Sequence, residues 1–284
     1  MNARANPWLL STPALLVYAV FLIAPLLMVF VISFYDFKFM GGMQPTFIWK
    51  NYIQVFSDHY YHQIFLRTYG VAILVTLACA VLGTFEAYVL SRMRNPWKGL
   101  FLMVVLGPLL TSVVVRTLGW ALLFGSTGLI SKTLMAVGLA SRPVSLMYTD
   151  LGMGIALTHV LVPFMVISVW ASLQRINPAT EAAALSLGAS QFTVMRRVIV
   201  PQIVPGILSG SIMVFAMAAS AFATPAIIAG RRLQTVATAA YDEFLNTLNW
   251  PLGAALAVLL LISMVIVLLA ANRVVERRYG AIFN

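Results

Sequence analysis

Six long apolar runs alternate with shorter polar stretches along this chain: 8–34, 68–90, 99–124, 151–174, 203–228 and 251–272. Each reaches the roughly 20 residues of helix that cross the hydrocarbon of a bilayer. Four of the runs are uncharged, although 151–174 contains His159; run 68–90 carries only Glu86, and run 99–124 only Arg116. The pattern predicts an all-α, polytopic membrane protein with six transmembrane helices in a single membrane domain over 1–284. The first run is too long for the apolar part of a signal peptide, and no clear cleavage site follows it, so it reads as a retained span. Pro25 within it is expected to kink the helix rather than end it, because membrane helices tolerate proline.

The polar stretch 175–202 breaks this rhythm. Asn177-Pro178 has the form of a helix start, a capping side chain followed by proline at the first helical position. Ala179 to Leu187 is rich in helix formers, and Gly188 stops or bends the helix. Ser190 caps a second segment, Gln191 to Ile199, that Pro201 is expected to end. Pieces of about ten residues, roughly 15 Å long, are marginal helices alone in water and need a surface to pack on. That surface is either the chain's own bundle or a groove on another protein, which the small alanines would suit.

Composition narrows the class. The chain is 61% hydrophobic and 9% charged, which excludes an ordinary soluble enzyme and a disordered chain. The net charge of +10 does not indicate nucleic acid, because the basic residues gather at the ends of the apolar runs. With the N-terminus inside, the inner segments 1–7, 91–98, 175–202 and 273–284 hold ten of the 18 Lys and Arg, and the longer outer segments hold seven. The positive-inside rule therefore puts both termini and the 175–202 loop in the cytoplasm. The lone Cys79 reads as a small core residue. No catalytic triad or metal-spaced cluster is present, and His59 and His62 read as solvated. GSTGLISKT, ending at Lys132-Thr133, has Ser131 where a phosphate loop needs glycine, so it reads as an external interfacial helix.

Ionisable groups inside spans are costly and are candidates for function. Glu86 lies four residues, about 6 Å, before Leu90 at the inner end of its span. It either reaches the interface or pairs with Arg92 or Arg94, or it lines an inner cavity. Arg116 is about 25 Å into its span and is either a structural ion pair or carbonyl cap, or a gate or binding-protein contact. His159, near the midplane, either hydrogen-bonds between helices or lines a pathway. Gly206 and Gly210 form a GxxxG pattern that favours close helix approach. Ala216, Ser220 and Thr224 recur every four residues and read as packing or as a pore wall. On the outer side, Trp120, Tyr148, Asp150, Tyr241, Asp242, Glu243 and Trp250 supply the aromatic faces and carboxylates that a polyamine would want, or else an interfacial belt and solvated loop charges; Arg231-Arg232 oppose a polycation. On these residues alone, an ion-gradient-driven secondary transporter using Glu86 and His159 competes with a permease energised by a partner.

Glu181-Ala182-Ala183, Gly188-Ala189-Ser190, Arg197, Pro201 and Pro205-Gly206-Ile207 resemble the cytoplasmic "EAA" loop of binding-protein-dependent ABC importer permeases. The main glutamate of that pattern falls at Ala182 here, with Glu181 just before it, and its aspartate falls at Ser186. Arg116 within TSVVVRTLGW, Gly128-Leu129-Ile130, Pro163-Phe164-Met165 and Asn249-Trp250-Pro251-Leu252-Gly253-Ala254-Ala255 are similar to the spermidine/putrescine importer branch. The resemblance implies a type I permease fold in a bacterial inner membrane. It implies that Glu181, Ala182, Ala183, Gly188, Ala189, Ser190 and Arg197 couple the chain to an ATPase. The implied partners are two ATPase subunits that bind ATP and Mg, a second and non-identical homologous permease, and a periplasmic binding protein; this chain itself would be no enzyme and hold no cofactor. Polyamine, phosphonate, opine, amino acid and iron(III) stay open as solutes.

Overall fold

A computed structural model describes residues 7–283; Arg4 of the inner-charge count lies outside them, as does the side chain of Arg278. Among the described residues, six helical stretches are long and apolar enough to cross a membrane. The first comprises α1 (Pro7–Tyr18), a π-turn over Ala19–Ile23 and α2 (Ala24–Ile32). Pro25 does not end it. Proline removes an N–H and crowds the carbonyl four residues back; the widened turn just before it relieves both.

A short antiparallel hairpin follows, β1 (Asp36–Lys38) and β2 (Gly42–Gln44), with Phe37 opposite Met43. Then come α3 (Lys50–Ser57) and α4 (His59–Arg92). Helix α4 begins nine residues ahead of the apolar run, because Tyr61 and Ile64 already bury themselves on its first turns. The third run is not one helix. It forms α5 (Trp97–Leu106), a 3-10 turn over Gly107–Leu110 and α6 (Val113–Phe124). Thr111 is extended, and both its N–H and its hydroxyl bond the Pro108 carbonyl, at 3.2 and 2.9 Å. This closes the first half before α6 begins. Helix α7 (Leu129–Ala136) takes up the end of GSTGLISKT.

Helix α8 (Asp150–Leu173) is the fourth span, started by Thr149, whose hydroxyl accepts from the Gly152 N–H at 3.0 Å. After α9 (Pro178–Ser186) and α10 (Gln191–Val194), a π-turn over Met195–Ile199 leads straight into α11 (Val200–Ala219). Pro201 thus does not terminate the second loop segment as expected. It sits in the first turn of α11, and the π-turn before it takes up the missing hydrogen bond as it does at Pro25. The fifth run also breaks, after Ala219, and resumes as α12 (Ala223–Ile228). Last come α13 (Val236–Leu245) and α14 (Trp250–Phe283).

The chain divides into two compact units, one of residues up to Gln63 with Val236–Ile262, the other of Ile64–Thr235 with the chain from Ser263. In the first, Phe34 stacks on Phe47 at 4.4 Å and packs with Tyr52 and Ala255. Asn51 pins α3 by donating to the carbonyls of Ser33 and Tyr35, both at 2.9 Å. The second unit is organised on α8, which is 56% buried while no other span exceeds 33%. Three glycines let neighbouring helices close on its inner half. A Cβ on Gly83 of α4 would lie 2.7 Å from Met165 Cγ, and one on Gly210 of α11 2.7 Å from Met165 Sδ. One on Gly206 would lie 2.2 Å from Ser172 Oγ. The GxxxG pattern is therefore the α8–α11 contact, and Ser168 Oγ seals it by donating to the Gly206 carbonyl at 2.8 Å. Cys79 is buried against α8, with Sγ 3.7 Å from the Thr158 carbonyl oxygen.

Candidate functional site

Two places gather the residues singled out from the sequence. One is the loop between α8 and α11. The Asn177 side chain accepts from the Ala179 N–H at 3.0 Å and Pro178 opens α9. The helix closes with Gly188 at φ +84°, its N–H on the Leu185 carbonyl and the Ala189 N–H on the Ala184 carbonyl. This is a left-handed helix stop that favours glycine. Ser190 then caps α10, accepting from the Thr193 N–H at 3.2 Å. Ala182, Ala183, Ser190 and Arg197 are exposed, and Ala189 is half-buried.

Glu181 is turned inward instead. Both its oxygens accept from Arg92 Nη2, at 2.8 and 2.7 Å, and Arg92 also lies over the Tyr88 ring at 5.1 Å. The acid of α9 is thereby clamped to the inner end of α4. With Arg92 so occupied, Glu86 reaches neither it nor Arg94. Nothing local in the sequence marks Arg92 for this role, since 89 residues separate the pair. Leu187 and Phe192 are 88% and 75% exposed on either side of Gly188; two large apolar residues in a polar stretch are their signal in the sequence.

The second place is a groove between α4 and α8, with α6 alongside, of about 660 Å³. Ala78, Leu82 and Glu86 line it from α4, and Gly154, Thr158 and Val162 from α8, each at four-residue spacing and so on one helix face. Trp120 of α6 donates from Nε1 to His159 Nδ1 at 3.1 Å, the two rings edge to face. His159 thus makes the interhelical hydrogen bond and lines the groove as well. Asp150 sits at the outer end, one oxygen 3.3 Å from Arg67 Nε. No hydrogen bond or ion pair engages Glu86 among the described residues.

The remaining candidates lie elsewhere. Among the described residues Arg116 makes neither the ion pair nor the carbonyl cap expected of it; its Nε and Nη1 are buried without acceptors. Ser220 caps the end of α11 by donating to the Ala216 carbonyl at 2.8 Å. Thr224 is buried on α12, 3.1 Å from Thr117 Oγ1 on α6. The break after Ala219 takes Ser220 and Thr224 off a common helix face, so the expected stripe does not form. Tyr241, Asp242 and Glu243 belong to α13 in the other unit, where Asp242 accepts from Asn246 at 2.6 Å and Glu243 accepts from Thr247.

No family model matches the chain. The spermidine/putrescine transport system permease protein PotB of Escherichia coli (strain K12) is 28% identical, covering 91% of this chain and 94% of that protein. The sulfate transport system permease protein CysW of Synechocystis sp. (strain ATCC 27184 / PCC 6803 / Kazusa) is 30% identical, over 92% of this chain and 90% of that one. Among solved structures, a bacterial ABC transporter involved in the import of the acidic polysaccharide alginate superposes with a TM-score of 0.80 at 19% identity, covering 95% of this chain and 96% of that one. The methionine ABC transporter MetNI in an inward-facing conformation gives 0.59 at 16% identity, over 78% and 98%. The six spans, the capped loop between the fourth and fifth, and relatives matching over nine-tenths of the length agree: the chain is a multi-pass inner-membrane protein and belongs to the permease subunits of ABC importers.

Proposed function

We propose that this permease passes a polyamine, spermidine or putrescine, from a periplasmic binding protein across the inner membrane, with both termini in the cytoplasm. Two relatives point to opposite charges on the solute, one named for a polyamine and one for sulfate. The observation that favours the cation is the Glu86 carboxylate, without a partner among the described residues, in a groove that Trp120 also lines. An amine would satisfy both groups, and an anion neither.

Energy enters through a separate pair of ATPase subunits, which hold the ATP and Mg, and a second, non-identical permease completes the pathway. The ATPase grips α9 and the turn after it. Glu181 faces α4, so the outward surface is Ala182, Ala183, Leu187, Ser190 and Phe192 with Arg197 beyond them, and the dock rests on shape, apolar contact and a basic rather than an acidic side chain. Closure of the ATPase pair pushes α9 and α10, and α11 follows without a break. The test is spermidine and putrescine uptake by the co-expressed importer in proteoliposomes, with sulfate as comparison. ATP-dependent uptake of either amine is expected; sulfate uptake with none of either amine overturns the solute assignment.

A further inference from the structure

The groove between α4 and α8 holds more chemistry than its apolar walls need. We infer that it is the membrane subsite in which a linear polyamine lies extended, Glu86 receiving the inner ammonium group, Trp120 flanking the chain and Asp150 standing at the outer mouth. This rests on the polyamine reading above.

Four observations carry it. First, a carboxylate within a span is retained when it faces a pathway or a partner, and Glu86 has no partner among the described residues because Arg92 is held by Glu181. Second, the lining runs twelve residues along each helix, from Leu74 to Glu86 and from Asp150 to Val162. That is about 18 Å at the helical rise, enough to lay an aliphatic di- or triamine lengthwise with its methylenes against Leu82 and Val162. Third, the Trp120 indole can only donate, so His159 accepts through an unprotonated Nδ1 and carries its proton on Nε2. The ring is neutral in this arrangement and adds no positive charge beside a bound ammonium, while the hydrogen bond fixes the indole orientation. Fourth, neither nearby cation faces Glu86: Arg116, one turn before Trp120 on α6, does not line the groove and its charge bears on His159, and Arg67 is paired with Asp150 at the outer mouth. A lipid acyl chain would fit the walls but would leave Glu86 without a counter-charge.

The test uses the assembled importer in proteoliposomes with spermidine as probe. Wild type should take up spermidine. Glu86→Gln should lower uptake about tenfold or more, the usual scale for losing a charged hydrogen-bond partner; Glu86→Asp should recover part of it, and Trp120→Ala should raise the half-saturating spermidine concentration. Wild-type uptake in Glu86→Gln overturns the subsite and leaves the polyamine reading standing. No uptake of spermidine or putrescine by wild type overturns both. Should Glu86→Gln fail to assemble, carbodiimide labelling of Glu86 in the wild-type complex decides. Spermidine should slow the labelling, and labelling that it does not slow overturns the subsite.

Discussion

Gly188 carries more of the loop's geometry than any residue near it. Its φ of +84° is one that a side chain with a Cβ adopts only at a cost, and a Cβ built there meets nothing within 4 Å. The requirement is therefore conformational and not steric. A β-branched residue should cost about 1–2 kcal/mol of left-handed strain, and the chain should relieve it by re-aiming α9 against α10. Gly188→Val should lose ATPase association and uptake while inserting normally in the membrane. Gly188→Asn should keep most of both, since asparagine tolerates this region. Co-purification of the ATPase with the two variants separates the cases; equal loss in both would mean that space, not backbone conformation, sets the glycine.

At the scale of elements, the contact between α8 and α11 is the tightest in the second unit, because Gly206 and Gly210 leave no room for a Cβ. Gly206→Leu should part the two helices and remove the hydrogen bond from Ser168 Oγ to the Gly206 carbonyl. The expected readout is loss of folded protein in detergent, seen as a lowered thermal midpoint, and not a selective loss of uptake. This contact was legible as a small-residue pattern, and the capped ends of α9 and α10 were legible because caps act within three residues of the chain. The two broken spans were not legible. Pro163 and Pro205 sit inside unbroken α8 and α11, so Pro108 gave no warning that Thr111 would turn extended. Nor does a proline precede the second break, at Ser220–Phe222. Packing between α6 and α12, with Thr117 against Thr224, links the two segments that follow the breaks, and contacts between residues 107 apart leave no local signature.

At the scale of the molecule, α4 links the loop and the groove that are proposed to couple and to carry the solute. Its inner end holds α9 through Arg92 and Glu181, and six residues earlier Glu86 faces the groove. The separation is about 9 Å along an unbroken helix, so a push on α9 moves the groove wall as one rigid piece. The stabilising contribution of the pair is small: Arg92 is 46% exposed and Glu181 24%, and exposed ion pairs contribute about 0.2–1 kcal/mol. Its importance should therefore appear in coupling and not in stability. Arg92→Ala and Glu181→Ala should each leave the thermal midpoint nearly unchanged but reduce the solute moved per ATP hydrolysed. Combining Arg92→Glu with Glu181→Arg should restore much of that ratio, because the clamp is re-formed with its charges exchanged. A pure ATPase-docking role for Glu181 predicts otherwise: Arg92→Ala would be silent, Glu181→Ala would weaken ATPase binding, and the double exchange would rescue nothing. Measuring transport stoichiometry alongside ATPase association in all four proteins tells the two roles apart.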